Sequence, residues 1–127
     1  MNHRILIVED NPPSRELLSD WLEVEGFIVV AVANLKEAFS VFMDLPPHAV
    51  LLDVQLGMED GLILAKWIRE NPQFRDTPII AVTAHAMVTD QDRIIQAGCN
   101  ACVSKPIDFS SLEKHLANSL SKKELDA

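Results

Sequence analysis

Four apolar runs in this chain end on side chains able to do chemistry. Ile5–Leu6–Ile7–Val8 runs into Glu9–Asp10, and Ala49–Val50–Leu51–Leu52 runs into Asp53. Ile79–Ile80–Ala81–Val82 ends on Thr83, and Ala101–Cys102–Val103–Ser104 leads to Lys105–Pro106. Runs of this length without polar alternation suit parallel strands buried on both faces. Strands of one parallel sheet share a carboxyl edge, which is where open α/β sheets bind ligands. Three carboxylates, a hydroxyl and an ammonium then meet there. Acids so close raise one another's pKa unless a cation neutralises them. A hard divalent ion with oxygen ligands, Mg²⁺ or Mn²⁺, answers that need and accepts a phosphate into its shell. The chemistry that fits is phosphoryl transfer, with Asp53 as nucleophile. Asp10 and Asp53 hold the metal, and Thr83 and Lys105 take the remaining phosphoryl oxygens.

Helices must set those strands side by side. Asn11 caps the first, with Pro12 and Pro13 tolerated in its opening turn, Leu17, Leu18, Trp21 and Leu22 as a buried stripe, and Gly26 at its end. Ile28–Val32 is a β-branched strand; Asn34 and Glu37 form a capping-box pattern for the second helix, stopped by Pro46–Pro47. A third helix spans Leu62 to Glu70, a fourth runs from about Thr89 to Gly98, and Asp108 caps the fifth, where Phe109, Leu112, Leu116 and Leu120 keep the helical period. Five strand–helix pairs with short connections predict an α/β, doubly wound parallel sheet with right-handed crossovers.

The 127 residues fit one domain, with a core at about 4–120 and a polar, frayed tail at 121–127. The start at Met1 favours a complete chain. A net charge of −8 without a basic stripe argues against nucleic-acid binding. No apolar run approaches membrane-spanning length, and no signal peptide precedes Glu9. Two cysteines without an export signal point to a cytoplasmic location.

Taken in order, ILIVEDN, LLDVQL, Asp60–Gly61, AVTAHA and VSKPID resemble the receiver domains of two-component response regulators, from about Arg4 to Leu120. The resemblance implies a flavodoxin-like sheet of order 2-1-3-4-5 and Mg²⁺-dependent transfer of a phosphoryl group to Asp53. The donor would be a histidine of a sensor kinase or a histidine phosphotransfer protein. By the family pattern, Asp10, Asp53 and the backbone carbonyl of Gln55 hold the metal, with Glu9 assisting. Lys105–Pro106 is similar to the family's cis peptide. The output is a downstream protein contact, on a face built by the fourth helix, fifth strand and fifth helix and including Cys102, Lys114 and His115. Pro106 and His85 belong with Cys102 to the switch and partner face.

Several residues depart from the pattern. Glu9 replaces the more usual aspartate. Gly57 replaces proline, which points to a looser loop. Cys102 stands where a tyrosine or phenylalanine usually turns inward, so a loop-based or helix-based response is expected instead. His85 either affects water access to the acceptor or is a solvated loop histidine; His3, His48 and His115 are expected at the surface. Cys99 and Cys102 form a C-x-x-C, but Cys99 follows a helix C-terminus, the wrong end to lower a thiol pKa. Two small buried or half-buried thiols are expected, a redox-responsive module being the lesser alternative. A receiver segment of a hybrid kinase or longer regulator remains open. A Mg²⁺-dependent aspartyl phosphatase would need an acid where Gln55 stands. A flavin module would need N–H donors where Pro12 and Pro13 lie.

Overall fold

The protein is described here by a computed structural model covering residues 3–84 and 88–126. In chain order the elements are β1 (Arg4–Val8), α1 (Pro12–Val24), β2 (Ile28–Val32), α2 (Leu35–Asp44) and β3 (Ala49–Asp53). Then come β4 (Gln55–Leu56), β5 (Glu59–Asp60), α3 (Leu62–Glu70), β6 (Ile79–Thr83), α4 (Val88–Gln96), β7 (Ala101–Ser104) and α5 (Phe109–Asp126). The main sheet has the order β2-β1-β3-β6-β7 with every pair parallel. Numbered among themselves, its five strands are in the expected order 2-1-3-4-5.

Strand alternation divides the apolar residues into two cores. Leu6, Val8, Val50, Leu52, Ile79 and Ala81 face α2, α3 and α4, where Phe42, Leu64, Ile68 and Ile94 meet them. Ile5, Ile7, Ala49, Leu51, Ile80 and Val103 face α1 and α5, against Leu18, Leu22, Leu112 and Leu116. Burying one such side chain contributes roughly 1.5–3 kcal/mol, so the central strands are the rigid base of the fold.

Local signals set the helix starts. The Asn11 side chain accepts from Ser14 N–H at 3.0 Å, and Asp108 Oδ1 accepts from Ser110 N–H at 3.0 Å. Asn34 accepts from Glu37 N–H at 2.9 Å while Glu37 Oε1 accepts from Ala33 N–H at 3.0 Å. Gly26, at φ +97°, follows the end of α1 in a conformation that favours glycine.

Four expectations change. Leu17 is not in the buried stripe but 55% exposed. It sits one position from the line of Leu18 and Leu22 that meets the sheet. The helix expected to fray after Leu120 continues through Asp126, because Ser121–Asp126 contains neither glycine nor proline. His48 is half-buried; its Nδ1 accepts from Arg4 N–H at 2.8 Å, and its ring meets His3 edge-on. The short antiparallel ladder of β4 and β5 was not foreseen. Gly57, at φ +61°, occupies the first central position of its two-residue turn, as a type II′ turn requires. Where the sequence implied only looseness, glycine makes the turn possible. Among the described residues, no helix is long and apolar enough to cross a membrane.

Candidate functional site

Register brings the strand-end residues together. Val8 pairs with Leu52, so Glu9 stands level with Asp53. Asp53 pairs with Val82, which puts Thr83 one residue beyond it. Thr83 pairs with Ser104, so Lys105 begins the next step. Glu9, Asp53 and Thr83 are buried, Asp10 is exposed, and Lys105 lies between.

Lys105 Nζ donates to Glu9 Oε2 at 2.9 Å and to Asp53 Oδ2 at 3.1 Å. The second Asp53 oxygen, Oδ1, accepts from Gln55 N–H at 3.0 Å. Asn11 N–H donates to Glu9 Oε1 at 3.2 Å. Both buried acids therefore have partners, as burial demands. Burial pushes the Glu9 carboxyl above its ordinary value, and Asp53 adds to that, while Lys105 opposes it. Burial alone would lower Lys105, but its bonds to Glu9 and Asp53 outweigh this and leave it raised.

One oxygen each from Glu9, Asp10 and Asp53 lies within 4.8 Å of the others. All three are hard donors at a partly open edge, the donor set that Mg²⁺ takes. The cluster thus fits a divalent ion. Lys105 provides the balancing charge between two of its members.

A model of the response regulator receiver domain matches residues 5–117. The chain belongs to this family. The receiver domain is 39% identical over 107 residues to the polar-differentiation response regulator DivK of Brucella anthropi, covering 84% of this chain and 87% of that one. A putative response regulator from Chloroflexus aurantiacus superposes with a TM-score of 0.90 at 30% identity, covering 95% of this chain and 99% of that one. The receiver domain of a sensor histidine kinase from Pseudomonas aeruginosa, solved with a magnesium ion coordinated in its active site cleft, gives a TM-score of 0.86 at 31% identity, with coverage of 95% and 99%. These likenesses place the receiver domain in two-component signalling.

Not every expected residue lies in the cluster. Pro106 follows Lys105 through a cis peptide bond and lies exposed. Cys102 faces the α4 side of the sheet, packed against that core and paired in register with Ala81. His85 lies outside the described residues. Burial pushes the Cys99 thiol up to about 12 and also raises Cys102. A redox-responsive pair needs the opposite, a thiol that ionises easily.

Three arginines carry roles that spacing did not reveal. Arg15 Nη1 donates to the Glu9 carbonyl at 2.9 Å, tying α1 to the end of β1. Arg69 donates to the carbonyls of Gly98, Arg75 and Thr77 at 2.9, 2.7 and 2.7 Å, and to Asn100 Oδ1 at 2.9 Å. Arg93 approaches Asp60 at 3.7 Å. Each partner is a backbone carbonyl or a residue remote in sequence, so no local pattern marks them.

Two openings flank Asp53, one on each face of the sheet. On the α1 and α5 side, a groove of about 550 Å³ is lined by Ser14, Leu17, Lys105, Pro106, Ile107 and Phe109. On the α3 and α4 side, a cavity of about 240 Å³ is lined by Val54, Gln55, Thr83, Asp90, Arg93 and Ile94.

Proposed function

We propose that this receiver domain captures a phosphoryl group on Asp53 from a protein phosphohistidine and passes the signal on by protein contact. The observation that carries this is the meeting of Asp53 with Lys105 at 3.1 Å inside the acidic cluster of Glu9 and Asp10. An Asp53 oxygen forms the new O–P bond as the P–N bond of the donor breaks, and the imidazole leaves. Lys105, already bound to Asp53 Oδ2, neutralises charge on the incoming group. Gln55 N–H holds the other carboxylate oxygen and so orients the nucleophile. Thr83, buried on the adjacent strand, offers a hydroxyl to a phosphoryl oxygen. Asp10 and Asp53, with the Gln55 backbone carbonyl and assistance from Glu9, would hold a Mg²⁺ that supplies positive charge to the phosphoryl oxygens. The product is an acyl phosphate on the protein itself, so the chain acts as a signalling phosphoacceptor rather than a turnover enzyme.

The apolar groove at Leu17, Pro106, Ile107 and Phe109 supports docking of the donor protein there, since Lys105, a partner of Asp53, forms a charged wall of it. The α4–β7–α5 face is left to the downstream partner. Two free cysteines agree with a reducing, cytoplasmic setting.

The test is intact mass after incubation with acetyl phosphate and Mg²⁺. Wild type should gain one phosphoryl mass and Asp53→Asn none. Equal labelling of the two, or no labelling of wild type, would remove the proposal.

A further inference from the structure

We propose that Arg15 is a positioning residue for a divalent ion at the acidic cluster, acting through the peptide that joins Glu9 to Asp10. The inference rests on the metal-assisted function proposed above and names a residue that function needs. The two acids are adjacent in sequence but held very differently. The Glu9 side chain is buried and bonded at both oxygens, to Lys105 Nζ at 2.9 Å and to Asn11 N–H at 3.2 Å. Asp10 is exposed, and among the described residues its carboxylate has no hydrogen-bond or ion-pair partner. A Cβ on Gly57 would stand 3.6 Å from Asp10 Oδ2, so the neighbour on that side brings no side chain to it. The start of α1 supplies no partner either. Asn11 Oδ1 takes the Ser14 N–H at 3.0 Å, and Pro12 and Pro13 have no N–H to give. The direction of the Asp10 carboxylate is therefore set by its backbone.

That backbone is caught in a closed ring of bonds. The Glu9 N–H donates to the Val32 carbonyl at 3.0 Å, the last tie to the neighbouring strand. The Glu9 carbonyl that follows is taken by Arg15 Nη1 at 2.9 Å. Arg15 N–H in turn donates to the Asn11 carbonyl at 2.9 Å, and Asn11 N–H to Glu9 Oε1. Asp10 is the residue inside this ring. The amide plane that Arg15 holds is the one from which the Asp10 Cα projects. Rotating it would swing the carboxylate out of the 4.8 Å group it forms with Glu9 and Asp53. Arg69 makes a comparable clasp, but around Thr77 and Gly98 at the amino edge of the sheet, where no group of the cluster depends on it.

Charge and geometry give opposite signs for Arg15. A guanidinium beside a cation site repels the cation, so removing it as a charge alone would tighten binding. Removing it as a positioning group weakens binding, as the loss of outer partners of metal ligands does, typically by about 10–100-fold. The two ions differ as well. Mg²⁺ demands near-octahedral ligands at about 2.0–2.1 Å, whereas Ca²⁺ accepts longer and more variable ones. A misdirected Asp10 therefore penalises Mg²⁺ more than Ca²⁺.

The experiment titrates the full chain with Mg²⁺ and, separately, with Ca²⁺, followed through amide chemical shifts, beside a thermal melt without metal. Arg15→Ala should bind Mg²⁺ about tenfold or more weakly than wild type and lose less of its Ca²⁺ affinity. Arg15→Met keeps the apolar stem without the donors and should behave in the same way, which guards against a fold weakened by truncation. Arg15→Lys keeps a donor and should restore much of the Mg²⁺ binding. A folded Arg15→Ala or Arg15→Met that binds Mg²⁺ as tightly as wild type, or more tightly, overturns the inference, as does an equal loss of both ions. Wild type whose Glu9, Asp53 and Gln55 amides do not respond to Mg²⁺ instead overturns the metal site itself, and the inference falls with it.

Discussion

At the scale of single residues, the balance at Lys105 decides the resting state of the site. Its ammonium stands between two buried carboxylates, so Lys105→Ala leaves both without their cation. Breaking a fully buried pair costs about 3–5 kcal/mol. Lys105 keeps 24% of its side chain exposed, so a smaller loss is expected, about 1–3 kcal/mol, read as a lower denaturant midpoint. Glu9 works in the other direction. Its pKa is raised above 4.5 in the fold, so the native state holds that proton more tightly than the unfolded chain. Its contribution is most favourable below 4.5 and is lost as pH rises through the raised value. Glu9→Gln should therefore match wild type in acid and gain on it toward neutral pH, when both are melted without metal. A variant that loses ground to wild type as pH rises would contradict this.

At the scale of elements, the close approach of α3 to β3 holds Asp53 in place. Gly61 N–H donates to the Val54 carbonyl at 2.7 Å, and a Cβ on Gly61 would clash with the Asp53 backbone oxygen. That atom belongs to the backbone and cannot yield alone. Gly61→Ala should thus cost roughly 1–3 kcal/mol by overpacking and also reduce the proposed labelling of Asp53, because that side chain moves with its backbone. Thermal melts and intact mass on the same preparation check both halves. A variant as stable and as readily labelled as wild type would show that α3 has room to shift. The glycine was visible in the sequence as part of Asp60–Gly61, but its reason was not, since the contact depends on how two elements pack.

At the scale of the whole molecule, what the sequence made legible follows one rule. Features that depend on a run and its terminus were readable: the five strands, the caps at Asn11, Asn34 and Asp108, and the cluster of Glu9, Asp10, Asp53, Thr83 and Lys105. Features set by packing across elements were not, among them the exposure of Leu17, the Arg69 clasp and the Arg93–Asp60 pair. The acidic cluster lies on the readable side, and a divalent ion bound there should act on global stability. A chain of net charge −8 concentrates three carboxylates within 4.8 Å at one edge, so a divalent ion bound there favours the folded state alone. At an ion concentration one hundred times its dissociation constant the gain is about 2.7 kcal/mol. Asp10 is exposed, so Asp10→Asn should leave the metal-free melting point within about 0.5 kcal/mol of wild type and abolish the rise with Mg²⁺. A chelator should return wild type to its metal-free midpoint. If Mg²⁺ raises wild type and Asp10→Asn equally, the gain belongs to surface screening and the cluster is not the binding site.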